Sequence, residues 1–365
     1  MPSSAKPNSA KRLVIGSTES YSGKSAVLLG VGLQLQAAGM DIGFGKPMGS
    51  SIGGDEADPD LDFIVATLGL STARFYPPSI SLTEATVAAR LALDGQAPAR
   101  YSLQGYTEHR GEDLLLLEGP GNLTEGTLLS LSVAHIAAGV DASVLLVTRY
   151  DSLLLVDRLL AAKALLGDRL VGVIINDVPT DAAAACAELA RPFLESQGIP
   201  VLALLPRSPI MRSITVREIV ARLDAEVLCC PNRLDLMVET LTIGAMNVNS
   251  ALRYFRKATN MAVVTGGDRT DIQFAALETS TQCLVLTGQI PPTPEILERA
   301  SDLEVPIVSV DSDTLSTVER IDELFGQVRL HEPIKVRCIQ DLIATHFDME
   351  RLLQLLDLKL PVSAS

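Results

Sequence analysis

The chain has 365 residues, 47% of them hydrophobic, and a formal net charge of −14. That length suits two domains, and the apolar share is enough to fill their cores. The acidic balance leaves no basic stripe to offset phosphate repulsion, which excludes a nucleic-acid or anionic-membrane partner; the short run Arg253-Tyr254-Phe255-Arg256-Lys257 reads as a solvated helix face. No apolar run reaches the roughly 20 residues of a membrane span, and Met1 to Lys11 lacks the apolar segment of a secretory signal, so a soluble cytoplasmic protein is expected. Cys186, Cys229, Cys230, Cys283 and Cys338 have neither metal-like nor disulfide-like spacing and read as reduced core residues.

The first strand, Leu13 to Ile15, runs into Gly16 to Ser25 (GSTESYSGKS) and then into a helix over Ala26 to Ala38. Strand, glycine-containing loop and helix form the setting of a phosphate-binding loop. The loop residues Thr18, Glu19, Ser20, Ser22 and Gly23 would surround a polyphosphate with backbone N–H groups, Lys24 would neutralise its outer charge, and Ser25 would hold Mg²⁺. The usual pattern has glycine six positions before the lysine, where this chain has Thr18.

A second strand, Asp41 to Gly45, ends at Lys46, a second cation at the edge where open parallel sheets bind ligands; a solvated surface lysine is the plain alternative. The Gly-rich loop that follows carries Asp55, Glu56 and Asp58, one of which could join a metal shell. The third strand, Asp113 to Leu117, delivers Glu118 to the same edge after four leucines. A carboxylate buried there needs a partner, either Mg²⁺ near Ser25 or the Lys46 ammonium. Ser143 to Thr148, Val171 to Asn176 and Val201 to Leu205 complete a doubly wound, mainly parallel α/β sheet. Asn176-Asp177 closes the fifth of these strands, placed to read a purine edge or simply to form a turn.

Prolines and charges interrupt the pattern between Pro209 and Asp224, and a second α/β series follows: Val227 to Cys230, Ala262 to Thr265, Leu284 to Thr287 and Ile307 to Val310. The expected division is a nucleotide-binding domain over 11–215, a second, smaller α/β domain over 216–335, and a C-terminal helix and tail over 336–365. The tail's apolar stripe suggests packing on the second domain or on another subunit, with plain burial in a core as the favoured alternative. In the second domain Gly266-Gly267 permits a tight turn, after which Asp268 could cap a helix and Arg269 could fork onto an anion; a purely structural Asp-Arg pair is the alternative. The four histidines are isolated and no nucleophile is flanked as covalent catalysis requires, which leaves nucleotide binding and phosphoryl chemistry.

In order and spacing, GSTESYSGKS, FGKPMGS, LLLLEGPGN, GVIINDV and VLALLPRSP resemble the P-loop ATPase fold of dethiobiotin synthetase over Arg12 to Ser213, a family that also has threonine where Thr18 stands. The resemblance implies that Lys24 and Lys46 contact phosphates, that Ser25 and Glu118 serve Mg²⁺, and that Asn176 faces the adenine of ATP. TGGDRTDI (Thr265 to Ile272) is similar to the DRTGG domain, with Gly267, Asp268 and Arg269 as its ligand candidates. The same pairing forms the N-terminal regulatory part of long bacterial phosphate acetyltransferases. It implies an ATP-binding regulatory protein, a slow MgATPase or a nucleotide sensor, which takes a protein partner or small-molecule effector at the DRTGG domain, forms a homo-oligomer and lacks acetyltransferase activity. The competing expectations are an ATP-dependent ligase of the dethiobiotin synthetase or cobyrinic acid diamide synthase type acting on a small carboxylate, and a binding module that does not turn over nucleotide.

Overall fold

The computed structural model describes residues 11–49, 59–92, 101–326 and 330–360. Its chain divides into two compact units, the first made of 1–207 together with 330–365, the second of 208–329. The division therefore falls ahead of the 209–224 stretch marked by prolines, because Ile214–Thr215 pairs with Met237–Val238 inside the second unit.

The first unit is built on strands β1 (Lys11–Ser17), β2 (Ile42–Gly45), β3 (Phe75–Tyr76), β4 (Leu114–Glu118), β5 (Ser143–Arg149), β6 (Leu170–Val178) and β7 (Val201–Pro206). They form one seven-stranded sheet in the order β3-β2-β4-β1-β5-β6-β7, with every pair parallel. Leu114 to Leu117 are fully buried, as are Val144 to Val147, because helices cover both faces of a parallel sheet and its strands read as unbroken apolar runs. The strand β3 is two residues long and gives no periodic signal in the sequence.

Helix Lys24–Ala37 follows β1, with Ala26 to Gly32 buried. The C-terminal helix Pro333–His346 lies against it: a Cβ at Gly30 would be 2.7 Å from Ile343 Cγ1 and 3.3 Å from the Ile339 carbonyl. The tail thus belongs to the first unit, not the second, and Ile339, Ile343, Phe347, Leu352, Leu353 and Leu356 are its buried apolar positions. Asp348 continues the contact by donating its N–H to Leu202 O at 2.9 Å.

The second unit has strands β8 (Glu226–Cys229), β9 (Thr240–Ile243), β10 (Met261–Gly266), β11 (Thr281–Thr287) and β12 (Ile307–Val310), ordered β8-β12-β11-β10-β9. All neighbours are parallel except β8, which runs antiparallel to β12. One apolar cluster, containing Phe255, Ile272 and Ile296, covers one face, and another, containing Val216, Ile219 and Ile321, covers the other. Both units are α/β. Among the described residues no helix is long and apolar enough to cross a membrane.

Candidate nucleotide-binding site

Strand β1 is central, with β4 on one side and β5 on the other, so its carboxyl end opens where the strand order changes direction. There the chain makes a loop that enters helix Lys24–Ala37 at Gly23, whose φ of 88° is left-handed and whose side offers no capping group. The first N–H groups of that helix are left for an anion. Tyr21 also takes a positive φ, 57°.

Neighbouring strand ends hold the loop in shape. Asn176 Nδ2, at the end of β6, donates to Ser22 O at 2.9 Å. Thr18 Oγ1 donates to the Glu19 carboxylate and shares a hydrogen bond of 2.8 Å with Thr148 Oγ1, while Glu19 Oε1 accepts the Arg149 N–H at 2.5 Å. Ser17 Oγ donates to Gly121 O at 2.8 Å and so ties the loop to the segment after β4. Thr18 and Glu19 are thus braces between the loop and β5. Ser20 is exposed, and Ser22 is buried with its Oγ unpartnered.

The charged centre lies between this loop and β4. Lys24 Nζ donates to Glu118 Oε1 at 2.6 Å and to Gly119 O at 2.7 Å, and Ser25 Oγ donates to the same Glu118 oxygen at 2.8 Å. Lys46 Nζ stands 4.0 Å from it. Glu118 is 2% exposed and its other oxygen, Oε2, is buried without a hydrogen-bond partner. Burial by itself would raise the carboxyl's pKa. The Lys24 and Lys46 ammoniums, with hydrogen bonds from Lys24 and Ser25, outweigh it and hold the group down at about 2. Glu118 neighbours Ser25 and both lysines, and its closest partner, Lys24, is neither of the two read from the sequence. A hydroxyl and a carboxylate 2.8 Å apart, with an orphaned acceptor on the carboxylate, form the hard-oxygen pair that Mg²⁺ takes. Asp55 lies outside the described residues. Asn176, expected beside a base, also reaches the phosphate loop through Nδ2, and Asp177 turns the chain at φ 57° and pairs with Arg207 Nε at 3.0 Å.

In the second unit two of the three expected ligand residues, Gly267 and Arg269, lie against other parts of the protein. Arg269 forks onto Asp271, with Nε at 3.0 Å and Nη2 at 3.2 Å, and Nη2 also donates to Met246 O at 2.9 Å. Asp268 is exposed and does not cap helix Thr270–Leu277, whose N-cap is Arg269 without a side-chain bond. Gly267 meets other backbone: a Cβ there would fall 1.9 Å from Ile290 O. Sequence reading missed Gln273, which is fully buried and donates its amide to Gly266 O at 3.1 Å and Gly267 O at 3.0 Å. A helical glutamine reads as a surface residue, and only its burial reveals that it holds this turn.

Taken with the sheet order, the loop and its lysine define a P-loop nucleotide-binding domain. The chain belongs to the AAA domain family, whose model matches residues 11–212, and it carries a DRTGG domain, matched over residues 218–324. Phosphate acetyltransferases are similar to it over most of its length. The protein from Nitratidesulfovibrio vulgaris is 26% identical over 94% of this chain and 51% of its own. The one from Pseudomonas putida is 25% identical over 92% and 50%, and the one from Synechocystis 26% identical over 94% and 51%. The chain spans about half the length of these curated relatives. Among solved structures, the CBS and DRTGG domains of the regulatory region of Clostridium perfringens pyrophosphatase match at 19% identity and a TM-score of 0.29, over 43% of this chain and 81% of that one. The signal recognition particle 54 kDa protein from Aeropyrum pernix matches at 16% identity and a TM-score of 0.33, over 54% and 41%.

Proposed function

We propose that this chain is an ATP-binding regulatory protein, in which the P-loop domain binds MgATP, hydrolyses it slowly or only senses it, and passes its state to the DRTGG domain. The observation that carries the reading is the convergence of Lys24, Ser25 and Lys46 on buried Glu118 beside an uncapped helix start. In this reading Ser25 and Glu118 hold Mg²⁺, with Asp55 as a third candidate ligand, Lys24 and Lys46 meet phosphate oxygens, and the Asn176 amide stands nearest the base. Bound Mg²⁺ would neutralise phosphate charge, and the two lysines would do the same for any charge that develops on a transferring phosphoryl group.

The chain path favours a regulatory role. Each connection to the second unit adjoins an element next to the site. Arg207, at the first connection, donates its N–H to Val178 O at 2.8 Å and pairs with Asp177 next to Asn176. The second connection leads into the helix that packs on Gly30 of the P-loop helix. A protein partner or small effector at Gly267, Asp268 and Arg269 and assembly into a homo-oligomer belong to the same proposal, as does the absence of acetyl transfer by these residues.

Lys46 supports a second reading. A second cation beside Glu118 also suits an ATP-dependent ligase that activates a small carboxylate by phosphoryl transfer. ATP turnover measured with and without small carboxylates and diamines separates the two: stimulation by such a substrate supports the ligase, and substrate-independent turnover or binding alone supports the regulator. Assay of acetyl phosphate formation from acetyl-CoA and phosphate tests the third element, and activity there would overturn it.

A further inference from the structure

The ammonium that a bound nucleotide needs is already committed. Lys24 carries three N–H donors, and two of them go to Glu118 Oε1 and Gly119 O. Its side chain is 10% exposed and that of Glu118 is 2% exposed, so the pair is screened little by water. Ser25 Oγ, the hydroxyl beside the loop, is bound to the same carboxylate oxygen. For Lys24 to meet a phosphate it must release Glu118, and a buried carboxylate that loses its closest cation is strongly disfavoured. For a divalent cation to reach Glu118 and Ser25, the same ammonium must be displaced, which is disfavoured unless an anion receives it.

We infer that Lys24 is the resting partner of Glu118 and that Mg²⁺ and the nucleotide displace it together, so that each binds weakly without the other. This deepens the nucleotide-site reading and rests on it. When both arrive, the cation replaces the ammonium at the carboxylate and the ammonium moves to the phosphates, leaving neither charge bare. Linkage makes the effect reciprocal: the factor by which the cation tightens nucleotide binding is the factor by which the nucleotide tightens cation binding. Lys46, 4.0 Å from Glu118, is too distant to replace the hydrogen bond that Lys24 gives up.

The test is isothermal titration of the full chain with ATP in EDTA, with MgATP and with MgCl₂ alone, for the wild type, Glu118→Gln and Lys24→Met. In the wild type MgATP is expected to bind roughly tenfold or more tighter than metal-free ATP, with no uptake of Mg²⁺ alone. Glu118→Gln frees Lys24 and removes the metal ligand, so it is expected to bind metal-free ATP roughly tenfold tighter than the wild type does and to gain nothing from Mg²⁺. Lys24→Met is expected to take up Mg²⁺ without nucleotide, because the buried carboxylate has lost its nearest cation. A Glu118→Gln protein with a native circular dichroism spectrum and no gain for metal-free ATP would overturn the exchange while leaving the nucleotide site intact. If that variant does not fold, Lys24→Met decides, and failure to take up Mg²⁺ overturns the exchange; Mg²⁺ uptake by nucleotide-free wild type does the same. A wild type that binds no nucleotide in either buffer instead overturns the site reading.

Discussion

Gly23 and Asn176 are in close contact: a Cβ at position 23 would lie 2.3 Å from Asn176 Nδ2, so the amide would have to move, and the backbone turns through φ +88°, which strains any residue with a side chain. The same amide holds Ser22 O at 2.9 Å. The last turn of the phosphate loop is thus set by two features, its own left-handed glycine and a side chain from the end of β6, which is why the β6 segment belongs to the site although it lies some 150 residues further along the chain.

Gly23→Ala meets both obstacles. The left-handed conformation costs about 1–2 kcal/mol for a residue with a Cβ, and the contact with Asn176 adds to it. A loop displaced at that cost is expected to bind ATP about tenfold more weakly. Adding Asn176→Ala removes the contact but not the dihedral penalty, so the double variant should recover part of the melting temperature. Thermal melts and titrations of the two single variants and the double close the cycle; full additivity would show that the two residues are independent.

Lys24→Ala tests the loop assignment itself. It removes the phosphate-facing ammonium, and loss of ATP affinity by a factor of ten or more is the expected result, about 1.4 kcal/mol. It also deprives Glu118 of its closest cation, so stability should fall by about 3–5 kcal/mol, as for a buried pair broken from one side. Unchanged ATP affinity in a folded variant would refute the assignment.

The Glu118 carboxyl also gives a pH signature in the nucleotide- and metal-free protein. Its pKa is lowered from 4.5 to about 2. A group depressed on folding contributes stability that is fully present above its unfolded value and is lost as pH falls toward the folded one. Urea midpoints should therefore drop between about pH 5 and pH 2, and Glu118→Gln should flatten that part of the profile. An identical slope in the variant would show that other carboxylates dominate.

Arg269 is expected to act through its own unit. Arg269→Ala removes the fork onto Asp271 and the bond to Met246 O, and should destabilise the second unit by about 1 kcal/mol, since the ion pair is open to solvent. Lysine cannot reproduce the fork, so Arg269→Lys should behave like Ala. Proteolysis of the second unit reads the effect, and ATP affinity should change little in the same samples. A variant that loses effector binding with unaltered protease resistance would instead favour a direct ligand role for Arg269.

Much of the frame is legible in the sequence because a parallel sheet covered on both faces writes its strands as apolar runs; Leu114 to Leu117 and Val144 to Val147 are the plainest. The two-residue strand β3 and the edge strand β9, Thr240–Ile243, carry too few apolar residues to stand out. Lys24, Ser25, Lys46 and Glu118 were readable because they follow strand ends. Their mutual bonding was not, since spacing places residues on an edge without saying which ammonium reaches which carboxylate. Where the tail packs is illegible for a related reason. Periodicity shows that Ile339 and Ile343 share a face, but not which surface receives it.

Gly30 could have supplied that missing signal. A glycine inside a helix costs about 1 kcal/mol relative to alanine and implies a packing reason, and here the reason is the tail helix, with Ile343 Cγ1 at 2.7 Å and Ile339 O at 3.3 Å from the missing Cβ. Gly30→Ala gains helix propensity but drives a methyl against a backbone carbonyl that cannot rotate away. The net effect is expected to be a loss of about 1–3 kcal/mol, as for overpacking. Ile343→Ala vacates the closest contact and leaves the carbonyl, so Gly30→Ala should cost less in that background than in the wild type. Because the same helix presents Lys24 and Ser25 at its other end, ATP affinity should weaken along with the melting temperature. A stabilised Gly30→Ala protein with unchanged ATP affinity would mean that the tail helix shifts freely and transmits nothing to the loop.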